Sequence, residues 1–404
     1  MMNGRVIDTW ARWASLREDH EIMARLSWSE YPLTAAYINR RVTGEGGRHW
    51  LEWIGKVFLG REMEGLSLAC GSGGFERRLL QKRYAGRIYG VDLSPEALEI
   101  ARARSRGLNA NFGVMDLNRP RFAKGIYDFV LSIAALHHVA NLEGCLCQVH
   151  RALKKGGLLV AWEFVGPDRF QWTDTQLAHI NRLYSSLPER YKYNHMTGLV
   201  HKNIERRPLV DMIKADPSEA VRSSEIMGLV KMFFEAVSVH WIGGALLHPL
   251  LEGIIGNFDP DNPMDRSRVE RLISEEERLM ERGVLPSDFV VMVARKKPSE
   301  IPEEEAMATG ESKLDIINRQ QEQILELARR LEEAQLRNQE LLGVAGAQVR
   351  ELEKLERSRE LLAAENLALK AQGPFRGLRF LRAKLKGLRL GRHSQVKTAR
   401  KPSG

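Results

Sequence analysis

The chain has 404 residues, of which 43% are hydrophobic and 28% are charged, and its formal net charge is +9. It contains no apolar run of about 18 residues, so it lacks the pattern of a transmembrane helix. The N-terminus contains acids and has no apolar core, which argues against a signal peptide. Residues 373–404 contain ten basic and no acidic side chains. The rest of the chain is therefore close to neutral, and the basic character belongs to the tail.

Residues 1–60 are rich in tryptophan and are predicted to form a helical cap before the first strand. Within this cap, the segment WSEYPLTAAYINRRV is a candidate lid over a ligand. Three cysteines without a spaced framework favour a reducing compartment and thus a cytoplasmic location. Since no histidine or cysteine set completes a metal-ligand pattern, no metal is expected.

A glycine-rich stretch, LSLACGSGGFERRLL, occupies residues 66–80. Its apolar first part is predicted to be a buried strand, and residues 75–84 have helical spacing. Gly71 and Gly73 lie between the two, where a backbone without side chains can turn tightly and approach a ligand. A strand, turn and helix of this kind open a nucleotide-binding unit, because the helix N-terminus offers free N–H groups.

Further strands alternate with helices after this turn. The second strand is predicted to end in Asp92, 19 residues beyond Gly73, a spacing that suits a carboxylate bound to both ribose hydroxyls. Asp116 ends the third strand, and YDFVLSIAALHHV and GGLLVAWEFVG form the fourth and fifth. The alternation predicts a parallel sheet with helices on both faces. A dinucleotide dehydrogenase and an S-adenosylmethionine-dependent methyltransferase both fit, although the third glycine of the dinucleotide fingerprint is missing.

Two more strands and two helical segments follow. EAVSVHWIGGALL and SDFVVMVARK are predicted as strands six and seven, which makes residues 61–297 an α/β domain with a seven-stranded, mostly parallel sheet. Residues 166–230 and 245–286 are predicted as helical additions. They should form the acceptor side, because ligands bind at the carboxyl ends of the strands in open α/β sheets.

A different periodicity follows an acidic, proline- and glycine-containing linker at residues 298–312. With Ile317 as heptad position a, eleven of the sixteen a and d positions are apolar, which predicts a long C-terminal coiled-coil helix over residues 313–372. Asn338 and Asn366 at a positions favour a homodimer, with a trimer as the alternative.

The basic tail, residues 373–404, places Leu378, Leu381, Leu385 and Leu388 on one helical face. Leucines beside basic side chains suit a helix on an anionic lipid surface. This pattern predicts peripheral attachment to the inner face of the cell membrane, and a disordered basic tail is the alternative.

The segments LACGSGG, GVDLSPEAL, VMDLN, YDFVLSIAALHHV and ALKKGGLLVAWE closely resemble the class I S-adenosylmethionine-dependent methyltransferases. The resemblance implies S-adenosylmethionine as cofactor, with Asp92 on its ribose and Asp116 at its adenine amino group. The cofactor-binding set that it implies is Ala69, Gly71, Ser72, Gly73, Asp92, Leu93, Met115, Asp116 and Ser132. Two positions depart from the family pattern: Ser67 stands where many members carry an acid, and Ala69 replaces the first glycine.

Methyl transfer needs an aligned acceptor, and a base helps when the acceptor is a hydroxyl. His137 and His138 follow the fourth strand and could take a proton near neutral pH, with His138 preferred. Glu163, at the end of the fifth strand, could orient or deprotonate the acceptor. Purely structural roles remain open for all three residues.

Polar and aromatic residues after the fifth strand suit sugar binding, because a ring can stack on a sugar while polar side chains hold its hydroxyls. The predicted acceptor-binding residues are Arg169, Gln171, Trp172, Asp174, Arg222 and His248. Among the candidates, His248 and the residues of the segment DPSEAVRS (Asp216, Glu219 and Arg222) are the weaker ones. Loop packing is the alternative for each.

INRRVTG, FVGPDRFQWTDTQL, DPSEAVRS and LLHPLLEGIIGNF resemble bacterial methyltransferases that accompany glycosyltransferases of surface-polysaccharide (O-antigen) synthesis. The resemblance implies O-methylation of a glycan or glycolipid acceptor, chain termination as one consequence, and glycosyltransferases as partners. One alternative is an RNA methyltransferase that uses the basic tail, but the near-neutral catalytic part argues against nucleic acid. The other is a non-catalytic coiled-coil scaffold, against which the intact Gly71, Asp92 and Asp116 argue.

Overall fold

The computed structural model describes residues 20–298 and 302–371. The chain divides into two units, one ending at Glu326 and the other beginning at Leu327. The basic tail predicted for residues 373–404 and the first 19 residues of the predicted cap lie outside the described residues.

A seven-stranded sheet forms the centre of the first unit. Its strands are β1 (Glu64–Leu68), β2 (Arg87–Asp92), β3 (Ala110–Val114), β4 (Tyr127–Ile133), β5 (Leu153–Phe164), β8 (Phe234–Gly243) and β9 (Phe289–Lys296), and β6 (Tyr193–Asn194) and β7 (Leu199–Val200) form a separate hairpin. The sheet order is β3-β2-β1-β4-β5-β9-β8. Only β9 runs antiparallel to its neighbours, so the predicted mostly parallel sheet is confirmed.

The central strands are buried on both faces, as their continuous apolar runs predict. In β4, Phe129 and Leu131 belong to one apolar cluster, whereas Val130 between them belongs to a second cluster. Successive side chains of a strand point to opposite faces, so the two clusters lie on the two sides of the sheet. Helices therefore cover both faces.

The helices lie between and beyond the strands. They span His20–Leu26, Pro32–Thr43, Trp50–Phe58, Gly74–Gln81, Pro95–Arg104, Leu142–Ala152, Asp174–Ser186, Leu209–Ala215, Ile226–Phe233, Leu247–Leu251, Pro263–Glu281 and Glu303–Ala371. Local sequence explains several of their starts: Ser94 accepts a hydrogen bond from the N–H of Ala97 at 3.2 Å, with Pro95 in the first helical position. Within the described ranges, no helix is both long and apolar enough to cross a membrane.

The C-terminal helix begins at Glu303, so most of the linker expected at residues 298–312 is helical. Three glutamates in its first turn favour this start, because carboxylates stabilise a helix N-terminus. Tertiary packing supplies the rest: Ala306, Leu314 and Gln321 are buried in the first unit. The first turns of the predicted coiled coil thus pack on their own chain. In the second unit, leucines such as Leu341 and Leu352 are exposed.

Candidate active site

The turn after β1 borders a cavity of about 840 Å³. Gly71 has a φ of 54°, and a Cβ atom there would meet nothing within 4 Å, so its backbone stays open to an approaching ligand. Gly73 also has a positive φ, of 77°, but a Cβ on it would lie 3.2 Å from Ala101 and from the ring of Phe112. Gly73 therefore permits close packing of the turn and lies outside the cavity lining.

Asp92 ends β2 and connects the glycine turn to the cavity. Its Oδ2 accepts the N–H of Gly71 at 2.8 Å, and its Oδ1 accepts the N–H of Ser94 at 2.9 Å. Each carboxylate oxygen has two lone pairs, so these bonds leave capacity for ligand hydroxyls. Asp92 can therefore hold the turn and bind a ribose at the same time.

Eight predicted site residues line this cavity: Ala69, Gly71, Ser72, Asp92, Leu93, Met115, Asp116 and His138. Asp116 lies just beyond β3, and its Oδ1 accepts the N–H of Asn118 at 2.8 Å. The carboxyl ends of β1, β2 and β3 thus bring backbone N–H groups and two carboxylates to one pocket, and its volume lies in the range of small-molecule sites.

Glu76 adds a third carboxylate, which the sequence analysis missed. Its Oε1 accepts the hydroxyl of Ser67, whereas its buried Oε2 has no hydrogen-bond partner among the described residues. Burial raises the pKa of Glu76. Ser67 is the position where the resemblance to class I methyltransferases implies an acid, and in the structure its hydroxyl contacts a carboxylate of the helix after the turn. Both residues line the cavity, and a cationic ligand group would satisfy the Glu76 carboxylate.

Glu163 is fully buried and holds the backbone after β4. Its Oε1 accepts the hydroxyl of Ser132 at 2.6 Å and the N–H groups of Ala135 and Leu136 at 2.9 Å each, and its Oε2 lies 2.8 Å from Nδ1 of His137. This bonding accounts for an acid in an otherwise apolar strand. Glu163, Ser132 and His137 lie outside the cavity lining, so Glu163 acts on the site by positioning the turn.

His138 is the one member of the predicted catalytic set that lines the cavity. Its Nδ1 lies 3.3 Å from Oγ of Ser218, and its ring centroid lies 4.2 Å from that of His137. Ser218 also lines the cavity, as do its neighbours Pro217 and Val221. A proton-accepting or hydrogen-bonding group therefore stands beside the space where an acceptor could enter.

The two arginines expected to bind the acceptor bond to their own chain instead. Arg169 donates to the backbone carbonyls of Glu219 at 2.9 Å and Pro217 at 2.7 Å. Arg222 is 4% exposed and forms a paired contact with Glu143, with N···O distances of 2.7 and 2.8 Å. Both arginines lie outside the cavity lining, and their role in the structure is to fix the loop between residues 215 and 223.

The other four acceptor candidates also lie outside the lining. Gln171 donates to two backbone carbonyls, and Trp172 is stacked on Phe170 with ring centroids 6.0 Å apart. Asp174 is paired with an arginine at the surface. His248 lies among aromatic rings, and burial lowers its pKa to about 3, so it is neutral. The structure does not bring these residues together around one pocket.

Two parts of the chain complete the cavity wall. Ser29, Ala35 and Ile38 come from the segment that the sequence analysis assigned to a lid. The C-terminal helix contributes Leu314, Ile317, Asn318 and Gln321. The sequence analysis placed these residues in the predicted coiled coil. Their spacing of three and four residues was visible in the sequence, but the surface they cover was not.

Known proteins resemble the part of the chain that carries this cavity. Residues 66–161 match a family model described as a methyltransferase domain. A demethylmenaquinone methyltransferase from Tropheryma whipplei (strain Twist) is 34% identical over 155 residues, which cover 36% of this chain and 63% of the relative. An uncharacterized 37.1 kDa protein in transposon TN4556 of Streptomyces fradiae is 32% identical over 244 residues, or 56% of this chain and 68% of the relative.

A solved structure of an S-adenosylmethionine-dependent methyltransferase from Mesorhizobium loti is 20% identical, covers 61% of this chain and 97% of its own, and aligns with a TM-score of 0.37. The fold assignment depends on the observed sheet order and on the matching domain model, not on that score. The chain therefore contains a methyltransferase domain at residues 66–161, a kind of domain whose methyl donor is S-adenosylmethionine, and it spans less than two thirds of the length of the demethylmenaquinone methyltransferase.

Proposed function

We propose that the protein transfers the methyl group of S-adenosylmethionine to a hydroxyl of a sugar in a bacterial surface glycan. The observation that carries the proposal is a single cavity lined by Gly71, Asp92 and Asp116 and also by His138. The cofactor, when bound, supplies a methyl group on a positively charged sulfur. If the methylated hydroxyl is the one that the next sugar would use, methylation also ends growth of the glycan.

The residues of the cavity have distinct tasks in this proposal. Asp92 accepts hydrogen bonds from the ribose, and Asp116 accepts one from the adenine amino group. Glu76, a buried carboxylate, balances the positive charge of the methionine part. His138 contacts the acceptor hydroxyl, and alignment of that oxygen with the methyl carbon is the main contribution to the rate.

Polar groups on the wall support a hydroxyl-rich acceptor. Ser29, Asn39, Asn318 and Gln321 line the cavity together with the ring of Trp162. Ser29, Asn39 and Gln321 are also bonded within the chain, and their remaining lone pairs and N–H groups can pair with an acceptor that carries several hydroxyls. The demethylmenaquinone methyltransferase from Tropheryma whipplei favours a second candidate function, the methylation of a quinone-type ring.

Isothermal titration calorimetry tests the cofactor assignment. Asp92→Ala should weaken S-adenosylmethionine binding by about 1–3 kcal/mol, since it removes a charged acceptor of ribose hydrogen bonds. Glu99→Ala removes an exposed acid from the neighbouring helix and serves as the matched control. Equal cofactor affinity in the two folded variants would contradict the assignment.

An acceptor assay separates the two candidate functions. The full chain is incubated with methyl-labelled cofactor and, in parallel reactions, with lipid-linked oligosaccharides or with demethylmenaquinone. Label in the oligosaccharide at an alkali-stable ether supports the sugar hydroxyl. Label only in the quinone replaces the glycan proposal by the second candidate.

We further propose that the helix from Leu327 onward pairs with a second copy of the chain and that the basic tail binds anionic lipid. The exposed heptad leucines of the second unit support the first point, and the composition of residues 373–404 supports the second. The double substitution Leu381→Ser and Leu385→Ser preserves every charge. It should weaken the free energy of vesicle binding by several kcal/mol, because each buried leucine contributes about 1.5–3 kcal/mol. Unchanged sedimentation with anionic vesicles at physiological salt would show that the tail acts only as a polycation.

A further inference from the structure

We infer that His137, His138 and Glu219 form a binding site for one divalent transition-metal ion beside the cavity. One ring nitrogen of each histidine and one carboxylate oxygen of Glu219 lie within 4.8 Å of one another. Nε2 of His137 is 3.6 Å from Oε1 of Glu219. Nitrogen and oxygen ligands lie about 2.0–2.2 Å from Zn²⁺, so two ligands of one tetrahedral ion are roughly 3.3–3.6 Å apart. A small side-chain adjustment would therefore bring the three groups onto one ion.

The hydrogen bond of His137 prepares this residue to bind a metal. Its Nδ1 lies 2.8 Å from the fully buried Glu163, a carboxylate that also accepts two backbone N–H groups. Nδ1 therefore carries a proton, and Nε2, the atom facing Glu219, is the nitrogen that would bind a metal in place of a proton. A carboxylate behind a metal-binding histidine fixes its tautomer and orientation in this way.

His138 has a similar outer partner. The hydroxyl of Ser218 donates to Oδ1 of Asp216 at 2.6 Å, so it accepts from Nδ1 of His138 at 3.3 Å. Nε2 is thus the nitrogen with which His138 would bind a metal. Asp216 is 7% exposed, and its Oδ2 has no hydrogen-bond partner within the described ranges. The guanidinium of Arg169 already interacts electrostatically with this carboxylate, and a metal ion beside His138 would add to that stabilisation.

The segment that carries Glu219 is held in place from several directions. The side chain of Arg169 donates to the backbone carbonyl of Glu219 at 2.9 Å, and the N–H of Val221 donates to the carbonyl of His137 at 3.1 Å. Gln321, from the C-terminal helix, donates to the carbonyl of Pro217 at 2.9 Å. A ligand set on such a supported loop can keep its geometry without the ion.

Two imidazoles and one carboxylate suit Zn²⁺ and related transition metals better than Mg²⁺ or Ca²⁺, which prefer oxygen ligands. Three protein ligands leave a position for a further ligand, as in catalytic zinc sites. His138 lines the cavity, whereas His137 and Glu219 lie outside its lining, so an acceptor in the cavity would reach the ion from the His138 side. The spacing along the chain did not reveal this set, because Glu219 lies 81 residues beyond His138.

The role of the ion rests on the proposed function, whereas the binding site does not. A bound metal would take the acceptor hydroxyl oxygen as a ligand and lower its pKa, and the proton would pass to water. The oxygen would then form a bond to the methyl carbon while the carbon–sulfur bond breaks and its electron pair stays on sulfur. In the metal-loaded protein, His138 is a ligand to the ion and does not take the proton itself.

Metal binding can be measured without any acceptor. The full chain is stripped with a chelator and titrated with Zn²⁺ in competition with a chromophoric chelator. We expect one tight site per chain, weakened by more than about 100-fold in both Glu219→Gln and His138→Gln, because loss of a ligand should cost more than loss of an outer partner. Ser218→Ala, which changes only the outer partner of His138, should weaken it by about 10–100-fold. Glu235→Gln, an exposed acid of β8, is the matched control and should bind as the parent does.

Two results would overturn the inference: absence of a stoichiometric Zn²⁺ site in the parent, or equal affinity in the parent and in both ligand variants. Circular dichroism and cofactor titration check that each variant is folded. A metal site found in a protein that methylates neither acceptor would contradict the proposed function and leave the site itself supported.

Discussion

The substitution Leu314→Ala tests whether the first turns of the C-terminal helix pack on the unit that contains the sheet. Its side chain is 7% exposed and packs in a small cluster with Ala140, Val221 and Ile317. Truncating a fully packed leucine to alanine costs about 2–5 kcal/mol, and the small size of this cluster places Leu314→Ala near 2–3 kcal/mol. For a unit of this size a change of 1 kcal/mol shifts the melting temperature by about 2 °C, so the melting temperature should fall by about 4–6 °C.

The matched control is Leu336→Ala in the same helix. Leu336 is 59% exposed and occupies neither an a nor a d heptad position, so its loss should change stability by less than about 0.5 kcal/mol. Differential scanning calorimetry of the full chain and the two variants measures the difference. Equal melting temperatures for Leu314→Ala and Leu336→Ala would show that the first turns of the helix do not pack on the unit.

Three further predictions concern charges and assembly. Burial alone would raise the pKa of Glu143, but hydrogen bonds from Arg222 and Lys313 lower it from 4.5 to about 2. This pair should therefore stabilise the fold above about pH 4.5 and lose that contribution as the pH falls toward 2, and urea unfolding of Arg222→Met should show a flatter pH dependence in this window. Truncation after Glu326 should leave a folded monomer while the full chain is a dimer, and light scattering that finds the truncated chain dimeric would contradict this assignment. The Glu76→Gln variant should have a melting temperature equal to or above that of the parent, because a neutral amide costs less to bury than a carboxylate. In calorimetry it should bind the cofactor about tenfold more weakly. Unchanged affinity would show that Glu76 is not part of the cofactor site.

The sequence alone determined the elements whose causes are local. The signals for these elements lie within a few residues of each other. They are the alternation of strands and helices, Ser94 followed by Pro95 at a helix start, and a glycine turn between a strand and a helix. They predicted a parallel sheet with helices on both faces, which the resemblance to known methyltransferases narrowed to the class I fold, and they placed Asp92 and Asp116 at the strand ends that border the cavity. The heptad pattern likewise identified a long C-terminal helix.

Only the tertiary structure decided which side chains meet across long stretches of chain. Arg169, Arg222 and Glu163 were predicted from the sequence as site residues, yet each is bonded to its own chain and holds a loop or turn. The packing of the C-terminal helix against the cavity and the meeting of His137 with Glu219 depend in the same way on the fold. Such contacts form because a buried polar group needs a hydrogen-bond partner, and packing determines which residue that partner is. The spacing of residues along the sequence does not show which partner this will be.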